Sequence, residues 1–96
     1  MPRPVVLPRG GREYLTADVD GVPDNAPLEV TVDGATWVPT QRLPGQLRFL
    51  AATPEATGNP ADTLVIPAGV HAVRVRLVDN PEIVLEHAGV VEVPRH

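Results

Sequence analysis

Twelve prolines and eight glycines punctuate a chain of 96 residues. Each proline removes a backbone donor, fixes φ and pushes its predecessor toward an extended conformation, so a helix bundle is nearly excluded. What remains is one small domain built of short extended pieces, with no room for a second. Its core must be aliphatic, because aromatics make up only 3 % of the chain (Tyr14, Trp37 and Phe49) while valine occurs sixteen times. Cysteine, lysine and serine are absent, which removes disulfides, thiol chemistry, Schiff bases and serine nucleophiles together. No apolar run approaches the ~20 residues of a helical membrane span, and no signal-peptide pattern opens the sequence.

Eight arginines stand against twelve acids, a net charge of −4. The arginines are scattered along the chain, whereas a nucleic-acid partner requires a basic face that neutralises several phosphates. Neither nucleic acid nor membrane is therefore expected as a partner.

Period-2 alternation marks the strands. Residues 1–11, with Pro2, Pro4 and Pro8, read as an arm or an edge strand. From Arg12 to Val19, Leu15, Ala17 and Val19 share one face. Leu28, Val30 and Val32 lead into Asp33-Gly34, a type I′ hairpin dipeptide. A two-residue loop there predicts the pairs Val32–Ala35, Thr31–Thr36 and Val30–Trp37, with Trp37 buried beside Val30. Gln46 to Ala52 is a candidate strand with Leu47 and Phe49 on one face, and residues 53–61 have the composition of a loop. Val70 to Val78 is the clearest strand, with His71, Val73, Val75 and Leu77 on one side. Asn80-Pro81 is a turn, and a five-residue loop at 79–83 opposes Leu77 to Leu85 and Arg76 to Glu86. Gly89 to Val93 closes the set. The expectation is an all-β, immunoglobulin-like antiparallel sandwich of seven to eight short strands over residues 12–93, with a tail at 94–96.

Chemistry is hard to find. Asp18, Asp20, Asp24 and Glu29 span the twelve positions of a calcium loop, but Val22 and Pro23 stand where such a loop needs an oxygen ligand and a glycine. The acids read as a solvated turn. His71, His87 and His96 form no close-spaced pair of the kind that zinc sites use. Asp79 and Glu82 flank a turn, where polar residues serve the backbone as readily as acid–base catalysis. No catalytic residue, metal or cofactor is expected. Arg74 and Arg76 read as cross-strand ion-pair partners of Glu86 and Glu92, with a protein-interface patch as the alternative.

Leu7-Pro8-Arg9-Gly10 with Glu13-Tyr14, then Asp33-Gly34-Ala35-Thr36-Trp37, then Val75 to Glu82 with Gly89 beyond, resembles small immunoglobulin-like structural proteins of tailed bacteriophages that infect actinobacteria. The resemblance runs from about Val5 to Val93, with residues 39–60 departing most. It implies a non-enzymatic virion protein, made in the bacterial cytoplasm and assembled into the particle as a capsid decoration or stabilising (minor capsid) protein. A head-to-tail connector in the neck and an accessory ligand-binding module are the alternatives. Two of the three aromatics read as core residues, which counts against a ligand-binding module that stacks on exposed rings. A chain that begins at Met1 without a signal peptide counts against a secreted one. The expected partners are other capsid or neck subunits, including copies of the chain itself. The expected contact is the arm, where Val5, Val6 and Leu7 form an apolar cluster between Arg3 and Arg9. Those three apolar residues are expected to meet another subunit or an edge of the sheet, with burial against the chain's own sandwich as the equal alternative.

Overall fold

The computed structural model describes residues 5–19, 21–23, 25–78 and 83–95, with the backbone alone described at 83–88. Among these there are nine strands and no helix: β1 (Val5–Val6), β2 (Arg12–Asp18), β3 (Leu28–Thr31), β4 (Val38–Pro39), β5 (Gln41–Leu43), β6 (Gln46–Ala52), β7 (Leu64–Val65), β8 (Gly69–Leu77) and β9 (Ile83–Val93). They form two sheets. The first runs β1-β9-β8-β3-β4; the second runs β2-β6-β5, with β7 lying beside β6 past the end of β5. All pairings are antiparallel except β1 with β9 and β6 with β7. This is an all-β sandwich with two-residue strands beyond the seven or eight expected. Its radius of gyration is 12.9 Å.

The alternating aliphatic positions close the interior. Leu28 and Val30 of β3, Val73 and Val75 of β8, and Val91 and Val93 of β9 face Leu47, Phe49 and Ala51 of β6, with Leu7, Val19, Val38, Leu64 and Ile66 completing the cluster. Burying branched side chains of this kind stabilises the fold by roughly 1.5–3 kcal/mol each. Phe49 is the only aromatic in it.

Trp37 is not. The structure pairs Val30 with Val38 and Glu29 with Pro39, a slip of one residue from the predicted hairpin, so Val38 takes the core position and Trp37 sits half-buried outside it. Side-chain hydrogen bonds set the wider loop. Asp33 Oδ1 accepts from the amides of Ala35 and Thr36, both at 2.8 Å. The Thr31 hydroxyl donates to the Thr36 carbonyl at 2.6 Å and accepts from the Gly34 amide at 3.0 Å. Gly34 has φ +78°, a conformation that glycine adopts without strain. A one-residue slip exchanges the faces of everything beyond it.

The β8–β9 pairing departs from expectation at one end only. His71 opposes Val91 and Val73 opposes Gly89, but Arg76 opposes Val84 and Leu77 opposes Ile83. Two irregularities in β9 insert extra residues there, displacing Leu85 and Glu86 from the predicted register. Arg76 instead reaches across to β3, its Nη2 and Nε 2.6 and 2.8 Å from Glu29 Oε1, while its guanidinium lies 4.3 Å from the Trp37 ring centre. The turn acids Asp79 and Glu82 lie outside the described residues.

Between β4 and β5 the chain changes sheets at Thr40, whose amide and hydroxyl both donate to the Leu28 carbonyl. Pro44-Gly45 then joins β5 to β6 with Leu43 opposite Gln46. Gly45 at φ +70° after a proline has the residue order of a type II turn.

Candidate interaction surface

The amino-terminal arm divides at Leu7. Val5 and Val6 pair in parallel with Val91 and Glu92, forming the edge of the first sheet, one of the outcomes expected for them. Leu7 is 0 % exposed within the core, its amide donating to the Glu92 carbonyl at 2.9 Å. The sandwich thus begins before residue 12, and Leu7 offers no side chain to a partner. Arg9 is held by its own chain: Nε lies 2.8 Å from Glu55 Oε1 and Nη1 donates to the Arg95 carbonyl. Arg3 lies outside the described residues.

What the arm does expose joins a larger surface. Val6 opposes Glu92, and Glu92 opposes Val70 on the next strand. Residues opposite one another point to the same face of a sheet, so Val6, Glu92 and Val70 form one row on the outer face. Val90 and Ala72, two positions along β9 and β8, stand in the same columns. Val6 is 53 % exposed and Val70 64 % exposed. Outward valines have no packing role within the sandwich; three in one corner make an apolar patch with one carboxylate, Glu92, among its described side chains.

A second surface lies on the outer face of the second sheet. Tyr14 is 63 % exposed, with the Arg48 guanidinium 4.9 Å from its ring centre and bonded to Gln41. These three line a cleft of about 330 Å³ with Pro39, Pro60 and Asp62. The aromatic count of the core is therefore one, not two, and Tyr14 is open to solvent.

The third lies at the sandwich margin between the Asp33 loop and β7. Val32, Val38, Leu64 and Val65 wall a cleft of about 210 Å³, with Asp33, Thr36 and Thr63 as its polar members. The amides of Thr36 and Ala35 and the Thr31 hydroxyl hold the Asp33 carboxyl down at about 2, because they bind its charged form.

Of the acids that span a calcium loop in sequence, the two that are described, Asp18 and Glu29, lie on different sheets. Asp18 on the second sheet accepts from Gln46 at 3.0 Å, Glu29 on the first is engaged by Arg76, and Asp20 and Asp24 lie outside the described residues. His71 contacts the Pro67 carbonyl at 2.9 Å; His96 and the side chain of His87 are outside the described set. Among the described residues no three metal-ligating side chains gather. Compared with family models, with curated proteins and with solved structures, the chain matches none.

Sequence reasoning found Val6 but not Val70. The parallel pairing that brings strands from opposite ends of the chain side by side carries no local signal.

Proposed function

We propose that this chain is a non-enzymatic structural protein of a tailed-phage virion, seated on the capsid as a decoration or stabilising subunit, with the neck as the neighbouring location. The observation that supports the reading is the outward patch of Val6, Val70 and Val90 around Glu92 at the β1 edge. Exposed apolar patches on small domains mark protein contacts, and this one continues the arm whose prolines and apolar cluster suit it to docking on a neighbour. The sandwich supplies a rigid plate; the patch supplies adhesion to a neighbouring virion subunit. No step of chemistry is assigned to it.

The test is a double substitution, Val6→Lys with Val70→Lys, which flanks Glu92 with opposite charges, in protein expressed during assembly of its phage. Both side chains point to solvent in the isolated domain, so the melting temperature should hold while recovery in purified particles falls. Imaging of intact particles then locates the subunit on capsid or neck. Incorporation at the unsubstituted level would overturn the reading. A second reading, an accessory ligand-binding module, draws on the exposed Tyr14 beside Arg48 and Gln41; a Tyr14→Ala protein that assembles normally leaves that surface free for such a role.

A further inference from the structure

Most sheet margins in this domain are blunted. β1 and β7 are two residues long, β4 contains Pro39, and Pro44 follows β5 at once. Short edges and prolines of this kind keep a sheet from pairing with another chain. β2 has no such protection. It is seven residues long, holds neither proline nor glycine, and pairs with β6 without a bulge. On its other side no strand lies beside it among the described residues.

The direction of its backbone groups follows from the ends of the β2–β6 ladder. The Thr53 amide donates to the Gly11 carbonyl at 3.1 Å, and the Val19 amide donates to the Gly45 carbonyl at 3.0 Å. Bonded and unbonded pairs alternate along an antiparallel ladder, so Glu13, Leu15 and Ala17 turn their backbone groups toward β6. Arg12, Tyr14, Thr16 and Asp18 turn theirs outward, where they bond to no described residue. The flank beneath this edge is apolar. Leu15 and Ala17 point inward yet stay only half-buried, and Val5 is 43 % exposed. These three border a recess of about 40 Å³ that reaches Phe49 and Val73.

The sequence of the edge, Arg-Glu-Tyr-Leu-Thr-Ala-Asp, is complementary to itself when reversed. Two copies set antiparallel about Leu15 oppose Arg12 to Asp18, Tyr14 to Thr16 and Glu13 to Ala17. The outward-turned residues then meet one another, each pair exchanging two backbone bonds, and no like charges stand opposite. Centring on Tyr14 or on Thr16 instead leaves Asp18 or Arg12 beyond the end of the partner strand. Arg12 uses Nη1 within its own chain, toward Thr57 and Asn59, and Asp18 uses Oδ1 for Gln46; the ion pair forms through Nη2 and Oδ2. Leu15 meets Leu15 of the second copy at the closer spacing of an unbonded pair, over the open flank. Tyr14 of each copy lies diagonal to the other, within reach of an aromatic ring.

We propose that β2 pairs antiparallel with β2 of a second copy of this chain, about a twofold axis at Leu15, joining the two second sheets into one. The pairing does not depend on a virion role, and it lies apart from the Val6–Val70 patch on the other sheet.

Sedimentation of the purified protein over a wide concentration series should show a mass rising from 10.2 kDa to twice that value, while amide exchange slows at Tyr14 and Thr16. Thr16→Pro removes an outward N–H that the fold itself does not use, a position where an edge strand accepts proline. It should hold the melting temperature and weaken dimerisation about tenfold or more. Asp18→Arg and Arg12→Asp each set like charges opposite and should be monomeric alone, whereas an equimolar mixture of the two should dimerise. The Val6→Lys, Val70→Lys protein should dimerise as the parent does. A parent that stays monomeric up to millimolar concentration, a Thr16→Pro protein that dimerises like the parent, a mixture of the charge variants that stays monomeric, or loss of the dimer in the Val6→Lys, Val70→Lys protein would each overturn the proposal.

Discussion

Replacing Leu7 by alanine asks how far the arm belongs to the fold. The side chain exposes nothing, and the backbone around it is fixed on both sides. The Leu7 amide bonds to Glu92, and the turn that follows is closed by the Gly11 amide on the Pro8 carbonyl at 2.8 Å. A site held this way has little freedom to collapse onto a cavity. Leucine-to-alanine changes in cores cost about 2–5 kcal/mol, rising with the cavity that persists, and we expect about 3 kcal/mol here. A domain of this length has about 5–14 kcal/mol of stability. For a domain of this size each kcal/mol moves the melting temperature by about 4–8 °C, so the fall should be about 12–24 °C. Val6→Ala, one residue earlier but on the outer face, should change stability by about 0.5 kcal/mol or less. Thermal and urea unfolding of both variants beside the parent makes the comparison. Equal melting temperatures for Leu7→Ala and Val6→Ala would refute the assignment of Leu7 to the core. Deleting residues 1–8 should then destabilise the domain at least as much as Leu7→Ala.

Thr63→Val removes an unpartnered buried hydroxyl at almost constant volume and should raise stability by about 1 kcal/mol, read as a higher urea midpoint at unchanged slope; a lower midpoint would show that the hydroxyl is satisfied. Trp37→Ala should cost only about 1–2 kcal/mol, since the ring is half-buried and its main partner is the Arg76 guanidinium, a contact of modest strength; a core loss of about 3–5 kcal/mol would restore the simple hairpin. Asp33 has a folded-state pKa of about 2 against an ordinary 3.8, so its ionised form contributes stability that is complete above about pH 4 and disappears as pH falls through about 2. The difference in urea midpoint between the parent and Asp33→Asn should shrink over that interval and stay constant above it.

The strands most readable in the sequence are those whose alternation meets the core on one face and solvent on the other. In β6 and β8 the pattern placed Leu47, Phe49, Val73 and Val75 inside, as observed. At the Asp33 hairpin two registers satisfy the valines about equally. The choice between them is made by the Thr31 hydroxyl and the Asp33 carboxylate binding local amides, which hydrophobic pattern does not weigh. The bulges of β9 are invisible for a similar reason: an extra residue leaves composition unchanged while altering which residues face each other. Pro44-Gly45 is legible turn chemistry, although the prolines around it blur where the strands begin and end. Of the surfaces, the valines of the arm could be named from sequence, but Val70 joins them only through sheet order. Nothing in the sequence marks Thr63 as an unpaired hydroxyl.

The parallel seam between β1 and β9 joins the two flanks of the domain. Val5 and Val6 run beside Val91 and Glu92 in the same direction, and Arg9 clasps the Arg95 carbonyl just beyond. Tension applied through both flanks would therefore drag the two strands along each other in opposite senses, loading the bonds of the seam together rather than one after another. In an antiparallel seam the same pull would peel the ladder from its end. The strand order thus turns a two-residue pairing into a mechanical clasp, with Leu7 as the peg behind it.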